Sequence, residues 1–341
     1  MKAAVVSAPG KLALQEISRP KPGAYDCLVK IDACAICTGT DSSIAFGDFP
    51  WRSPYPFVIG HEATGIILET GPKVRNFAVG QRVVRPAGIL PGVVVDGIHS
   101  TWGGYAEYGL VRDGWAAAED GLTLDGVQGA CRNPLPAGVD AVSGALSINQ
   151  REILSVVRKL PLDARSRVAV VGTGYNGLLF TLFCKHYGAG RVVVLGSEWL
   201  RERARESFRA DGYVDYRAPD AAQQALDLMG SPTHVIDAVG SFKSLATAEE
   251  LLTVGTAFGA YGLDDVTKTE AIRQRLAQDR PAIDMAADEA SCVEDWHRLW
   301  QAGFFAVPGM VDRVMPFEEM DQAFAILDRR QAVKIVLEMK G

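Results

Sequence analysis

Two patterns of apolar spacing follow one another along the chain. Over residues 1–115 short apolar runs alternate with polar positions, and turns interrupt them. Met1-Lys2-Ala3-Ala4-Val5-Val6 opens as a strand, and Leu28-Val29-Lys30-Ile31-Asp32-Ala33 alternates as a half-buried strand does. Residues 64–71 and 81–86 read as further strands, with Pro20, Pro22-Gly23, Gly71-Pro72 and Val79-Gly80 between them. This spacing predicts a compact β-rich, barrel-like domain.

The pattern changes near residue 136. Val139, Val142, Leu146, Ile153 and Val157 give the stretch 137–159 a helical period. Arg167-Val168-Ala169-Val170-Val171-Gly172 is then continuously apolar, as a strand buried on both faces of a parallel sheet is. Strands expected at 191–195, 234–238 and 255–260 alternate with helices expected at 176–187, 199–210 and 243–252. That order predicts a doubly wound α/β domain. A helix over 317–329 and a strand over 334–338 close the chain. There is no internal repeat.

Composition narrows the class. The 341 residues suit two domains, and 48% hydrophobic with 22% charged residues is a globular balance. Thirty-five basic against 41 acidic residues leave a net charge of −6, with no basic footprint for nucleic acid and no polybasic membrane patch. No apolar run approaches the ~20 residues of a membrane span. The opening strand lacks the apolar core of a signal peptide, so the expected location is cytoplasmic. The six cysteines form no compact disulfide framework, and most read as small buried apolar residues.

Gly172-Thr173-Gly174-Tyr175-Asn176-Gly177 follows the apolar strand and opens a helical pattern, the context a dinucleotide-binding turn requires. Gly172 permits the tight turn and Gly174 lets a pyrophosphate approach the backbone. Gly177 lets helix and strand pack, and the helix N-terminus, with Tyr175 and Asn176, faces the phosphates. Gly196 stands at the end of the next strand, where an acid would bind the ribose 2′-hydroxyl. Gly196 and Ser197 leave room for a 2′-phosphate that Arg201 or Arg203 would neutralise. Glu198 pulls the other way, and both arginines also fit a solvated helix face. The balance favours NADP(H) over NAD(H).

Cys37, His61 and Glu62 offer a thiolate, an imidazole and a carboxylate, the side chains Zn²⁺ accepts most readily. A buried thiol and a core histidine are the plain alternatives. Against them stand the glycines flanking His61-Glu62, the Thr38-Gly39-Thr40-Asp41 turn after Cys37, and the nucleotide domain downstream.

With these motifs, Gly103-Gly104-Tyr105-Ala106-Glu107-Tyr108 and the closing strand, the chain resembles the zinc-dependent medium-chain dehydrogenase/reductase superfamily over essentially its whole length. The resemblance implies a GroES-like catalytic domain, residues 1–140 and 275–341, interrupted by a Rossmann NAD(P)-binding domain, residues 141–274. It implies Cys37 and His61 as zinc ligands and Glu62 as a carboxylate that binds the metal or exchanges on and off it. Thr40, with Thr38 as competitor, would relay the proton, and Asp41 would orient the site from behind. Gly196-Ser197 followed by Tyr216 resembles a 2′-phosphate site in which Glu198 replaces the usual arginine.

Two departures stand out. Residues 86–103 contain no cysteine where many relatives bind a structural zinc, so a single, catalytic zinc is expected. Asn133, a poor zinc ligand, aligns with the fourth ligand, which leaves Cys131 or water to complete the shell. Phe46, Asp48, Phe49, Trp51, Arg52 and Trp102 are candidate lining residues, a mixture compatible with a polyol, sugar or cyclitol. The leading reading is hydride transfer between NAD(P) and a secondary alcohol or ketone, in a homodimer or homotetramer. A zinc-free quinone or enone reductase and a non-catalytic nucleotide-binding protein are the competing readings.

Overall fold

The structure, a computed structural model, describes residues 1–47, 49, 52–122 and 134–339. The chain divides into two compact units, Met1–Asn149 with Val311–Gly341, and Gln150–Met310.

In the first unit the alternating segments form β1 (Lys2–Ala8), β2 (Lys11–Glu16), β3 (Asp26–Ala35), β4 (Phe57–Val58), β5 (Glu62–Thr70), β6 (Arg82–Val84), β7 (His99–Ser100) and β8 (Tyr108–Arg112). Helices α1 (Thr38–Phe46) and α2 (Gly114–Glu119) are short; α3 (Ala141–Val157), which belongs to the first unit up to Asn149 and to the second from Gln150, ends two residues before the expected limit. One sheet runs β2-β1-β4-β7, and the other is centred on β3, which pairs antiparallel with β5 and β8. Segment 38–41, read above as a turn, is instead the first turn of α1. Asp41 accepts the Cys37 backbone N–H at 3.0 Å, closing that turn as a capping acid does. Gly39, a poor helix former, hid it in the sequence.

The second unit carries β9 (Arg167–Val171), α4 (Tyr175–His186), β10 (Arg191–Gly196), β11 (Gly212–Asp215), α5 (Ala221–Met229), β12 (His234–Asp237), α6 (Phe242–Leu251), β13 (Ala257–Ala260), α7 (Val266–Ala277) and α8 (Val293–Gln301). Its sheet is parallel with the order β11-β10-β9-β12-β13, the doubly wound arrangement expected. Central β9 is almost wholly buried, which explains its unbroken apolar sequence.

Two expectations change here. The helix expected over 199–210 is a 3₁₀ turn, Glu198–Leu200, followed by a wide π-type turn, Arg203–Ser207. That wider winding keeps Leu200, Ala204 and Phe208 all buried. Segment 275–310, assigned above to the catalytic side, belongs to the second unit. The reason is aromatic packing: the Trp296 ring lies 6.0 Å from Phe305, its Nε1 donates to Gln150 Oε1 at 2.7 Å, and Phe304 stacks on Phe183. The chain then completes the first unit with β14 (Arg313–Pro316), α9 (Met320–Asp328) and β15 (Ile335–Glu338), and β15 joins β3. No helix among the described residues is long and apolar enough to cross a membrane.

Candidate active site

Strand register assembles the first site. β3 and β5 pair antiparallel with Ala35 opposite Glu62, so the end of one strand meets the start of the other. Cys37, two residues past β3, thereby comes beside His61 and Glu62, and one donor atom from each lies within 4.8 Å of the others. Gly60 sets the approach to His61: its φ is +100°, and a Cβ there would fall 2.7 Å from the Tyr105 backbone nitrogen.

Four further side chains hold this set. Asp41 is fully buried and accepts from three donors: the Cys37 N–H, His61 Nδ1 at 3.0 Å and Tyr105 Oη at 2.6 Å. With Nδ1 engaged by a carboxylate, Nε2 of His61 points to the other side, 3.8 Å from Glu62 Oε1. The Arg85 guanidinium donates to the His61 carbonyl at 2.9 Å. Lys334 stands one residue before β15, whose register on β3 (Val336 against Ala35), continued, sets it opposite Cys37. Its ammonium, almost wholly buried, pairs with Glu62 Oε2.

Burial and charge act against each other here. Burial pulls the His61 pKa down, but the Asp41 charge and hydrogen bond, with Cys37 beside it, outweigh this and hold it well above the imidazole range. Burial also lowers Lys334, and Glu62 and Cys37 more than offset it. Burial, reinforced by Asp41, keeps the Tyr105 phenol and the Cys34 thiol well above their usual values, so both stay protonated. Cys27, Cys34, Cys184 and Cys292 are buried, whereas Cys37 is half-buried.

The donor chemistry fits a zinc ion. Sulfur, nitrogen and oxygen donors converge, and Glu62 Oε1 is buried without any hydrogen-bond partner. Such an orphaned oxygen is costly unless something binds it. Thr40 Oγ1 lies 3.6 Å from Cys37 Sγ, while Thr38 is exposed. Of the candidate lining residues, Trp102 lies 5.3 Å from the His61 ring and Phe49 lies 6.0 Å from Trp102. Phe46 instead meets Phe324, and Arg52 lies over Tyr55. Asp48, Trp51, Cys131 and Asn133 lie outside the described residues.

The second site is made largely of backbone. Gly172 has φ +112°, and a Cβ on Gly177 would fall 2.1 Å from the Gly172 oxygen, so first and third glycines pack directly. Above Gly174, the N-cap of α4, nothing lies within 4 Å of where a Cβ would stand. That open space before a helix N-terminus is what a pyrophosphate needs. Asn176 sits half-buried in the first turn. The Tyr175 side chain turns inward, its hydroxyl 3.2 Å from Met310 Sδ and 3.3 Å from Gln150 Nε2, so only its backbone faces the turn.

The end of β10 is closely packed. A Cβ on Gly196 would fall 2.1 Å from Thr173 Cγ2 and 2.6 Å from Tyr213 Oη. Thr173 and Tyr213 thus fill the space that a side chain at position 196 would need, which accounts for the missing acid. Ser197 follows, its N–H donating to Thr173 Oγ1 at 3.2 Å. Glu198 grips Arg201 through two bonds of 2.6 and 2.7 Å, and Arg201 also donates to the Tyr213 carbonyl. Arg203 lies against Trp199. Tyr216 donates its N–H to the Gly196 carbonyl, and its ring meets Arg217 and Lys243 at 4.6 and 4.7 Å.

Sequence reasoning missed Lys334 and Arg85 and left Tyr105 inside a motif without a role. For Lys334 a signal existed: a lone cation in Ala332-Val333-Lys334-Ile335-Val336-Leu337 has to find a buried partner.

Comparison with known proteins bears on the fold and the family. Residues 23–119 match the Alcohol dehydrogenase GroES-like domain family. The chain is 25% identical to D-arabinitol dehydrogenase 1 of Uromyces fabae, covering 92% of this chain and 90% of that one. It is 27% identical to the NADP-dependent isopropanol dehydrogenase of Thermoanaerobacter brockii, over 75% and 74% of the two chains. The crystal structure of benzyl alcohol dehydrogenase from Acinetobacter calcoaceticus shares the fold, with a TM-score of 0.81 over 99% of each chain at 19% identity.

Proposed function

The chain belongs to the zinc-type medium-chain dehydrogenase/reductase superfamily, and on that footing we propose that it is a zinc-dependent oxidoreductase moving hydride between NAD(P) and a secondary alcohol or ketone of the polyol, sugar or cyclitol class. One observation carries the reading: three metal donors of different chemistry converge on one point, and the carboxylate oxygen among them has no other partner. The polyol class draws support from the arabinitol dehydrogenase likeness and from the mixed polar and aromatic segment 46–52.

Cys37, His61 and Glu62 would hold the ion, which when bound supplies Lewis-acid polarisation of the substrate oxygen. The nicotinamide supplies the hydride acceptor. The protein's own groups do the rest. Asp41 fixes the His61 tautomer so that Nε2 stays available as a donor. Lys334 holds Glu62 by one oxygen and leaves the other free. The Thr40 hydroxyl, half-exposed and 3.6 Å from Cys37 Sγ, takes the substrate proton toward solvent; that contact favours it over the exposed Thr38. Phe49 and Trp102 shield the His61 side from water.

The test joins metal analysis to turnover of NAD⁺ and NADP⁺ over polyols, sugars and secondary alcohols. Cys37→Ser is expected to lose zinc and to lower turnover by several kcal/mol, on the order of 10³-fold. Full zinc content with full activity in that variant would sink the proposal, as would turnover of enones by metal-free protein.

A further inference from the structure

The loops that follow β12 and β13 are packed against each other. A Cβ on Gly262 would fall 2.0 Å from the Val239 carbonyl carbon, and one on Gly240, at φ +89°, would fall 2.4 Å from the Gly262 oxygen. Asp237, fully buried, accepts the N–H groups of Val239 and Gly240 at 3.0 Å each. Its own carbonyl receives the Tyr261 N–H at 2.8 Å.

A cation from α7 reaches back to the same two loops. Arg273 Nη2 donates to the Gly240 carbonyl at 3.2 Å and to the Gly262 carbonyl at 2.6 Å. Its Nε donates to Thr269 Oγ1 at 3.0 Å, and that hydroxyl, also fully buried, lies 3.3 Å from the Gly240 oxygen. Gly240 is thus held at both ends, its N–H by Asp237 and its carbonyl by Arg273. A guanidinium suits this place because it is always charged and presents several donors in one plane.

The sheet order says what these loops face. A dinucleotide lies across the carboxyl ends of such strands, with its pyrophosphate at the central turn. β10, with Ser197 and Glu198, lies on one side of β9, and β12 and β13 lie on the other. The adenosine half belongs over β10, so the nicotinamide half falls over the ends of β12 and β13. Val239 marks the border: a Cβ on Gly172 would fall 2.5 Å from its Cγ2.

We propose that Arg273 is a positioning residue for the nicotinamide half of the cofactor, tying the carbonyls of Gly240 and Gly262 into one rigid floor. The inference rests on the dinucleotide-binding reading above. The partners of Arg273, Thr269, Gly240 and Gly262, all lie on the side of β12 and β13 and none on β10. The clamp therefore acts on one half of the ligand, which a role in stability alone would not do.

Binding of NADH, NADPH, ADP-ribose and 2′-phospho-ADP-ribose, measured by titration calorimetry on the full chain, separates the two. Arg273→Met is expected to weaken the better-bound dinucleotide by about tenfold or more and to leave the matching nicotinamide-free ligand within about twofold. Arg273→Lys, which supplies a single ammonium, is expected to give the same split at smaller size. Arg275→Met, on the same helix but in an exposed pair with Glu249, is expected to change neither. Equal weakening of both ligands, or of neither, would overturn the proposal. So would loss of the fold in both Arg273 variants, which would assign the residue to stability. A wild-type chain that binds none of the four ligands would instead fail the dinucleotide reading itself.

Discussion

Around His61, Asp41, Glu62, Tyr105 and Lys334 are withdrawn from solvent and hold one another through short polar contacts. Around Gly172 the reverse holds. Gly172, Gly177 and Gly196 set the geometry by what they lack, and Gly174 leaves its space open. The first site depends on charges that compensate each other, so it is sensitive to losing any one of them. The second depends on close backbone approach, so it is sensitive to gaining a single carbon. The same kind of substitution should therefore act differently in the two places.

The largest effect is expected at Lys334. Removing one member of a buried ion pair typically costs about 3–5 kcal/mol, because the partner's charge is left uncompensated. Lys334→Met should lower the stability of metal-free protein by that amount in urea denaturation, and adding Glu62→Gln should recover most of it. If Lys334→Met unfolds at the wild-type urea midpoint, the first site is not held by charge, and the contrast with the second falls.

Next come the glycines of the turn. Gly177→Ala puts a Cβ against the Gly172 oxygen, an overlap that only backbone movement relieves, and about 3 kcal/mol of stability should go. Gly174→Ala meets no protein atom, so its stability should stay within about 1 kcal/mol of wild type. Its dinucleotide affinity should nevertheless fall, because the methyl enters the space the pyrophosphate needs. A Gly174→Ala protein that binds dinucleotide as wild type does would remove the phosphate from that turn.

This contrast also explains what was legible in the sequence. The place of the Gly-rich turn in the fold was legible, because such a turn between an apolar strand and a helix is a contiguous signal. So was the doubly wound order, since β9 and its neighbours are buried on both faces. The side-chain site was legible only in part. Cys37, His61 and Glu62 lie close enough in sequence to be suspected, and Asp41 was placed behind them. Lys334 comes from 272 residues beyond Glu62 and meets it only through the register of β15 on β3. No local period carries that information. Why position 196 must be glycine was hidden for a related reason: Thr173 and Tyr213, which fill its space, come from two other segments.

The smallest effect is expected at Glu198, where the two ways of building a site meet. Gly196 cannot carry the acid that would bind a ribose diol, and Glu198 carries one two residues later. That acid is spent on Arg201, with side chains 55% and 39% exposed. An exposed pair of this kind is worth about 0.2–1 kcal/mol, which limits the change to about fivefold. Glu198→Gln removes a negative charge and frees Arg201, so the affinity ratio of NADPH to NADH should rise by about two- to fivefold. Arg201→Gln should move it the other way. Both shifts should shrink in 1 M salt, where charges so exposed are screened within about 3 Å. A ratio that stays fixed in both variants would take the ribose away from Glu198. Cofactor choice would then lie with Ser197 and Tyr216, whose contacts to the turn and to Gly196 use backbone N–H groups and are indifferent to salt.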